Sequence, residues 1–526
     1  MLRFALLAYL ATVDAWIWPS PQLDALESQR FDLERHGIAA FIRPCDLFIF
    51  DTANSGRSDA ADWIRTAYHD MATHNIVDGT GGLDASIRFD EEQSRPENTG
   101  DGFANTVGLL LGESTRYVSI ADVLALAAII AIENCGGPDI AFRGGRVDAA
   151  EPNLPGVPQP QENLESHISS FARQGFTQAE MIGLVACGHS FGGVQHAPFP
   201  DIVPELNDPT SLQSVVHFDS TPVTFDNNVA NEYISNTTKN PLVVGLNDTT
   251  NSDKRIFGSD DNATMLSFAN SPQLFASTCA DLFARMLDTV PTGVTLSQVI
   301  TPLPVKPYDL KLLHDGDNIQ FSGEVRFWNM TADGDRTVQL LRDDHVGGLN
   351  NVTLVQSGTS TSAGGRNTAA WYSISLTLEA AAGITSMRFA VDGTLEDQGG
   401  VGFAVADDIM FSNSSCFNSD GNNVGGHLDV AVRNGVNPTR VYLEEQVRDD
   451  VSRPTIVEVD ITPPAQPAGP DAVYAIWSAV IPITGIFDTS AYSIGAEIDG
   501  VKVTRSDPRF VTDFSPCSTV SSRATP

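Results

Sequence analysis

The chain has 526 residues, 31 Lys and Arg against 66 Asp and Glu, and a net charge of −35. Its length suits about three domains, and a 42% hydrophobic content with 27 Phe supplies a sizeable core, which excludes global disorder. So acidic a chain repels phosphate backbones and anionic lipid, which disfavours nucleic-acid and membrane-surface roles, while it suits cationic ligands such as calcium.

Met1-Leu2-Arg3 is a short basic start, Phe4 to Val13 an apolar run too short to span a bilayer, and Val13-Asp14-Ala15 a small-x-small cleavage site. That order predicts a secretory signal peptide over residues 1–15, a mature chain from about Trp16, and an extracellular location. Six Asn-x-Ser/Thr sequons, at Asn236, Asn247, Asn262, Asn329, Asn351 and Asn413, agree with secretion and glycosylation. No later stretch is long and apolar enough to span, and the polar tail from Ser518 predicts no membrane anchor.

The first half reads as helices. Ser58 and Asp59 are N-cap candidates for a helix from Asp59 to Met71. Ser119-x-x-Asp122 opens one from Ile120 to Asn134 that is apolar on nearly every face, so it belongs at the centre of a bundle. Thr177-x-x-Glu180 opens Met181 to Ser190, stopped by Gly192-Gly193, and another helix covers Pro272 to Leu287. After about Thr301 the texture turns to period two, with strands at Ile319 to Trp328, Trp371 to Leu378, Met387 to Val391, Thr455 to Ile461, Val473 to Trp477 and Gly495 to Val503. The expected fold is multidomain: a mainly α-helical domain over 16–300, then β-sandwich-like domains over 301–415 and 416–526, the last a second domain or a continuation of the first.

Arg65 and His69 stand four apart on a predicted helix and so share a face. A neutral imidazole there can take a proton from a bound molecule, and the guanidinium beside it can stabilise the negative charge that develops. His189 ends an apolar helix, and imidazole is a common axial ligand of haem iron. Two histidines on separate helices, one bare and one paired with Arg, are what a haem sandwich needs.

At this point the residues resemble a family. Arg65-Thr-Ala-Tyr-His69-Asp70, Gly81-Gly-Leu-Asp-Ala-Ser-Ile87, Asn134-Cys135, Gly145-Arg-Val-Asp148, Val157 to Leu164 with the segment around His189, and Phe218 to Asp226 are similar, in order, to motifs of the plant, fungal and bacterial haem peroxidases. They are nearest the secreted fungal branch of lignin and manganese peroxidases, and the likeness runs from about Cys45 to Leu287. It implies a haem b enzyme that reduces hydrogen peroxide and oxidises small phenolic or aromatic donors at the haem edge. His69 is then acid and base, Arg65 stabilises charge, and Asn98 holds the tautomer of His69. His189 is the proximal ligand, with Asp261 as its carboxylate partner, and Pro158 stands at the donor entrance. Two calcium ions are implied, one at Asp70, Gly82, Asp84 and Ser86, the other at Ser190, Asp219, Thr221, Thr224 and Asp226. The family's disulfide falls on Cys45 and Cys135. Cys187 pairs with Cys279 or stays buried and free, while Cys416 and Cys517 are natural partners.

The sequence also departs from that pattern. Tyr68 precedes the distal histidine, where the secreted branches mostly have Phe. The three acidic manganese ligands fall on Ser58, Asp62 and Gln195, and the surface Trp of lignin peroxidases falls on Leu184, so neither manganese nor bulky-donor oxidation is expected. The β-rich half lies outside the resemblance. It is a spacer, a wall- or carbohydrate-binding module able to contact cell-wall polysaccharide, or a partner surface. The rival reading is a secreted cell-wall or carbohydrate-binding protein with a degenerate peroxidase domain.

Overall fold

The computed structural model describes residues 20–51, 54–419, 424–464, 472–483, 491–505, 508–510 and 513–517. The expected signal peptide, and most of the Pro-rich linker after Thr462, lie outside the described residues. No helix among them is long and apolar enough to cross a membrane.

The first half is helical, and its helices start where side-chain oxygens meet the free N–H groups of a first turn. Helix α1 (Pro21–Phe31) opens on Ser20, α2 (Asp59–Met71) on Ser58 and α3 (Ile120–Asn134) on Ser119. Helix α4 (Leu164–Arg173) opens on Asn163, and α5 (Gln178–Gly188) on a Thr177/Glu180 capping box. Helices α6 (Ser252–Phe257) and α7 (Pro272–Leu287) complete the set that frames the site. Every residue of α3 from Ile120 to Glu133 is buried, as an apolar circumference requires. Its two buried acids are paired, Asp122 with Arg146 at 2.9 Å and Glu133 with Arg30 at 2.6 Å. Disulfides join Cys45 to Cys135 and Cys187 to Cys279; the second ties α5 to α7.

The second half is β-rich from Val305 onward. Among the described residues, a nine-stranded sheet runs through both expected β segments, and two five-stranded sheets pack on it. In the strand Ile409–Ser412, Ile409 and Phe411 belong to one apolar core and Met410 to the other. Alternating side chains point to opposite faces, so one strand serves two cores and the division expected at 415/416 does not separate them. Cys416 pairs with Cys517. The expected single strand Gly495 to Val503 is a hairpin, Ala491–Ile498 against Val501–Thr504. Asp499 and Gly500 both take positive φ, 50° and 78°, which is the backbone of a two-residue turn.

The halves meet through matched charges. Arg326 reaches Glu27 at 2.5 Å and Asp32 at 2.6 Å, and Lys306 reaches Glu27 at 2.8 Å. All four side chains are buried, so each charge depends on its partner across the junction. Trp328 packs edge-on against Phe31 of α1, and Trp371 is wholly buried. All six sequon asparagines are exposed.

Candidate functional site

A cavity of about 410 Å³ opens between α2 on one side and α5 with α6 and α7 on the other. Arg65 and His69 line it from α2, His189 from the end of α5, and Pro158 from the loop before α4. Leu184, Phe171, Phe283 and Met286 supply much of its apolar wall. Leu184 is therefore an interior position here, buried against the cavity.

On the α2 side, His69 Nδ1 lies 2.7 Å from Asn98 Oδ1. The Asn98 amide nitrogen donates to the Glu92 carbonyl at 2.8 Å, which orients its oxygen toward the ring. His69 therefore donates from Nδ1, and its Nε2 keeps a free lone pair. Burial, reinforced by the Arg65 charge, pushes the His69 pKa down to about 3 against a smaller opposing effect of Asn98. Arg65 donates to the Thr99 carbonyl at 3.1 Å and lies 4.3 Å over the Phe103 ring. Burial lowers its pKa to about 10, so it stays cationic at neutral pH.

On the other side, His189 stacks on Phe218 with ring centroids 4.1 Å apart. Its Nδ1 lies 2.8 Å from Asp253 Oδ2, and the same oxygen accepts from Asn240 Nδ2 at 2.7 Å. The carboxylate partner is thus Asp253, not Asp261. Asp261 is exposed in a turn at φ 57°, eight residues away, whereas Asp253 is buried in the first turn of α6. The site is also completed by Asn240, Glu92 and Thr99, which the sequence analysis did not single out.

The first expected cation cluster is assembled but internally bonded. Asp70 accepts from the N–H groups of Asp84 at 2.8 Å, Ala85 at 2.7 Å and Ile87 at 2.9 Å. The Asn153 amide nitrogen reaches both Asp84 oxygens and Ser86 Oγ at 2.9 Å. Burial and mutual repulsion raise the carboxyl pKa of Asp70 well above the usual range, and burial raises Glu92 to about 7. Gly82 takes φ +121°, and a Cβ there would stand 2.8 Å from the Thr289 carbonyl. In the second cluster, Asp219 Oδ1 accepts from Thr221 N–H at 2.8 Å, while its buried Oδ2 has no hydrogen-bond partner. Burial and the charge of Asp226 raise Asp219 to about 7. Ser190 is buried with its hydroxyl on the Cys187 carbonyl at 2.8 Å, and Thr224 is exposed. Among the described residues no group of three or more His, Cys, Asp or Glu side chains is arranged to hold a metal. A hard cation at either cluster would need hydroxyl and carbonyl oxygens to complete its shell.

The positions expected to lack a manganese site are otherwise engaged. Arg57 pairs with Asp62 at 2.7 Å and with Asp101 at 2.8 Å. The Gln195 amide donates to Gln213 at 2.7 Å, and Ser58 caps α2.

Residues 47–271 match the family model described as Peroxidase. A WSC domain-containing protein of Arthroderma benhamiae is 37% identical over 340 residues, 63% of this chain and 46% of the relative. L-ascorbate peroxidase 5, peroxisomal, of Arabidopsis thaliana is 36% identical over 140 residues, 26% of this chain and 49% of the relative. A putative heme-binding peroxidase of Aspergillus fumigatus is 28% identical over 159 residues, 29% and 48% respectively. The chain spans about half the length of the curated relatives it matches.

Proposed function

Because residues 47–271 form a domain of the plant, fungal and bacterial haem peroxidase superfamily, we propose that this chain is a secreted, glycosylated haem peroxidase. It reduces hydrogen peroxide and oxidises small phenolic or aromatic donors in one-electron steps. One observation carries the reading: His69 and His189 line the same cavity, each with Nδ1 fixed by an acceptor and Nε2 left as a lone pair. That donor set, in a largely apolar cavity, fits haem b. The bound haem supplies the redox-active iron at which the peroxide O–O bond is broken.

The rest falls to side chains. His189 would hold the iron through Nε2, and Asp253, drawing on its Nδ1–H, would make the ring a stronger ligand. His69 accepts the peroxide proton at Nε2 and returns it to the departing oxygen, which leaves as water. Arg65 stabilises the negative charge on that oxygen. Asn98 keeps the His69 proton on Nδ1 throughout. Pro158 lies on the cavity wall where donors approach. Two calcium ions, at the Asp70/Asp84 and Asp219/Asp226 clusters, hold the residues flanking each histidine; the raised carboxyl pKa values and the unpartnered Asp219 oxygen support that assignment.

The exposed sequons support glycosylation. Contact of residues 301–526 with cell-wall polysaccharide belongs to the same reading; Trp371, wholly buried, is not its platform. The test is His69→Ala. The variant is expected to bind haem and to react with peroxide about 10²- to 10⁴-fold more slowly; an unchanged rate refutes the role of His69 as base.

A further inference from the structure

Most polar side chains on the cavity wall already have protein partners. Arg57 is held by Asp62 and Asp101, and Arg65 by the Thr99 carbonyl. The Gln161 and Gln195 amides donate to Gln159 and Gln213. His167 of α4 differs. It lines the same cavity, is 2% exposed, and among the described residues neither of its ring nitrogens has a hydrogen-bond partner. The charges that act on the ring are Glu162, Arg255 and Asp253; Arg255 is bonded to the carbonyls of Pro160, Glu162, Asp248 and Thr249, so it does not serve the cavity in place of His167. An imidazole buried with both nitrogens unsatisfied is costly, and in a native protein it points to a partner that arrives from outside the chain.

We propose that His167 binds a carboxylate held in the cavity, either the propionate edge of the haem or the acid group of an organic donor. This rests on the haem peroxidase reading. A haem brings two ionised carboxylates with its apolar macrocycle, and each needs donors once buried. The Glu162 carbonyl is the protein acceptor beside the ring, and it stands outside hydrogen-bond geometry, so the His167 N–H is a buried donor left for a ligand; a neutral ring has one N–H to give and a protonated ring two, each stronger.

The test uses the full chain with His167→Leu, which removes the donor, and His167→Gln, which retains one. Apoprotein is titrated with haem and with haem dimethyl ester, and the absorption change gives Kd. If the propionate edge is the partner, the Leu variant binds haem about tenfold more weakly, the Gln variant recovers most of the loss, and the ester binds all three proteins alike. If the partner is a donor acid, haem affinity is unchanged, while the KM for 4-hydroxybenzoate rises in the Leu variant and that for 4-hydroxybenzamide does not. Leu and wild-type proteins equal in both assays overturn the proposal and leave His167 bonded to water only. Wild-type apoprotein that takes up no haem overturns both this proposal and the peroxidase reading, which separates the two failures.

Discussion

His69 and His189 face one cavity, and each has Nδ1 fixed by a single acceptor, but the acceptors differ in charge. His69 meets the neutral amide oxygen of Asn98 at 2.7 Å, and His189 meets the carboxylate of Asp253 at 2.8 Å. A neutral acceptor fixes the tautomer and adds little basicity. With Arg65 adjacent and the ring buried, His69 is a weak base that gives its proton back readily. A carboxylate adds negative charge to the ring, as a permanent metal ligand requires. In the proposed function the same side chain would serve as proton shuttle or as anchor according to one neighbouring residue.

The largest expected effect comes from removing the anchor. His189→Ala should lose haem, or hold it without the proximal bond, as read from the absorption spectrum; an unaltered haem spectrum in that variant contradicts the assignment. Exchanging the acceptors is the sharper trial. Asn98→Asp should make His69 more basic and slow its reaction with peroxide by at least about tenfold at neutral pH. Asp253→Asn should leave haem bound but raise its reduction potential, measured by spectroelectrochemistry; a potential equal to wild type removes Asp253 from the account.

The pH profile comes next. A His69 pKa depressed from the ordinary 6.5 to about 3 keeps the base unprotonated in mild acid. The rate of reaction with peroxide should therefore stay flat from pH 8 to about 4 and fall only as pH nears the depressed value. A fall centred near 6.5 contradicts the burial argument. The smallest effect is expected from chelation. Stripping calcium should slow turnover a few-fold and lower the thermal midpoint, and added calcium should restore both; indifference to chelator removes both calcium sites.

These contrasts also show what the sequence makes legible. Arg65, His69, Asn98 and His189 stand in short motifs that carry the family resemblance, and the structure brings Arg65, His69 and His189 to one cavity with Asn98 bonded to His69; helical spacing alone would not have singled them out. Asp253 is not readable in the same way. It stands 64 residues after His189, and only the packing of α6 beside the end of α5 brings them together, while Asp261 sits in a more conspicuous acidic turn. His167 reads as one more helix residue until the cavity shows both its nitrogens unpartnered. In the β half, period two locates most strands but not their partners, so it does not reveal that Ile409–Ser412 serves two cores. The Asp499-Gly500 turn was available as a dipeptide signal inside an alternating run. The buried cluster of Glu27, Asp32, Lys306 and Arg326 had no such signal, because its bonded acids and cations lie 279 to 299 residues apart and meet only through tertiary packing.

The central claim is that the two histidines bracket a working haem. The most direct measurement is the ultraviolet–visible spectrum of the purified protein before and after one equivalent of hydrogen peroxide. The account predicts a high-spin ferric haem band that shifts within the mixing time and returns when a phenolic donor is added. Folded protein with no haem band, even after haem is supplied, contradicts it and transfers the search for function to residues 301–526.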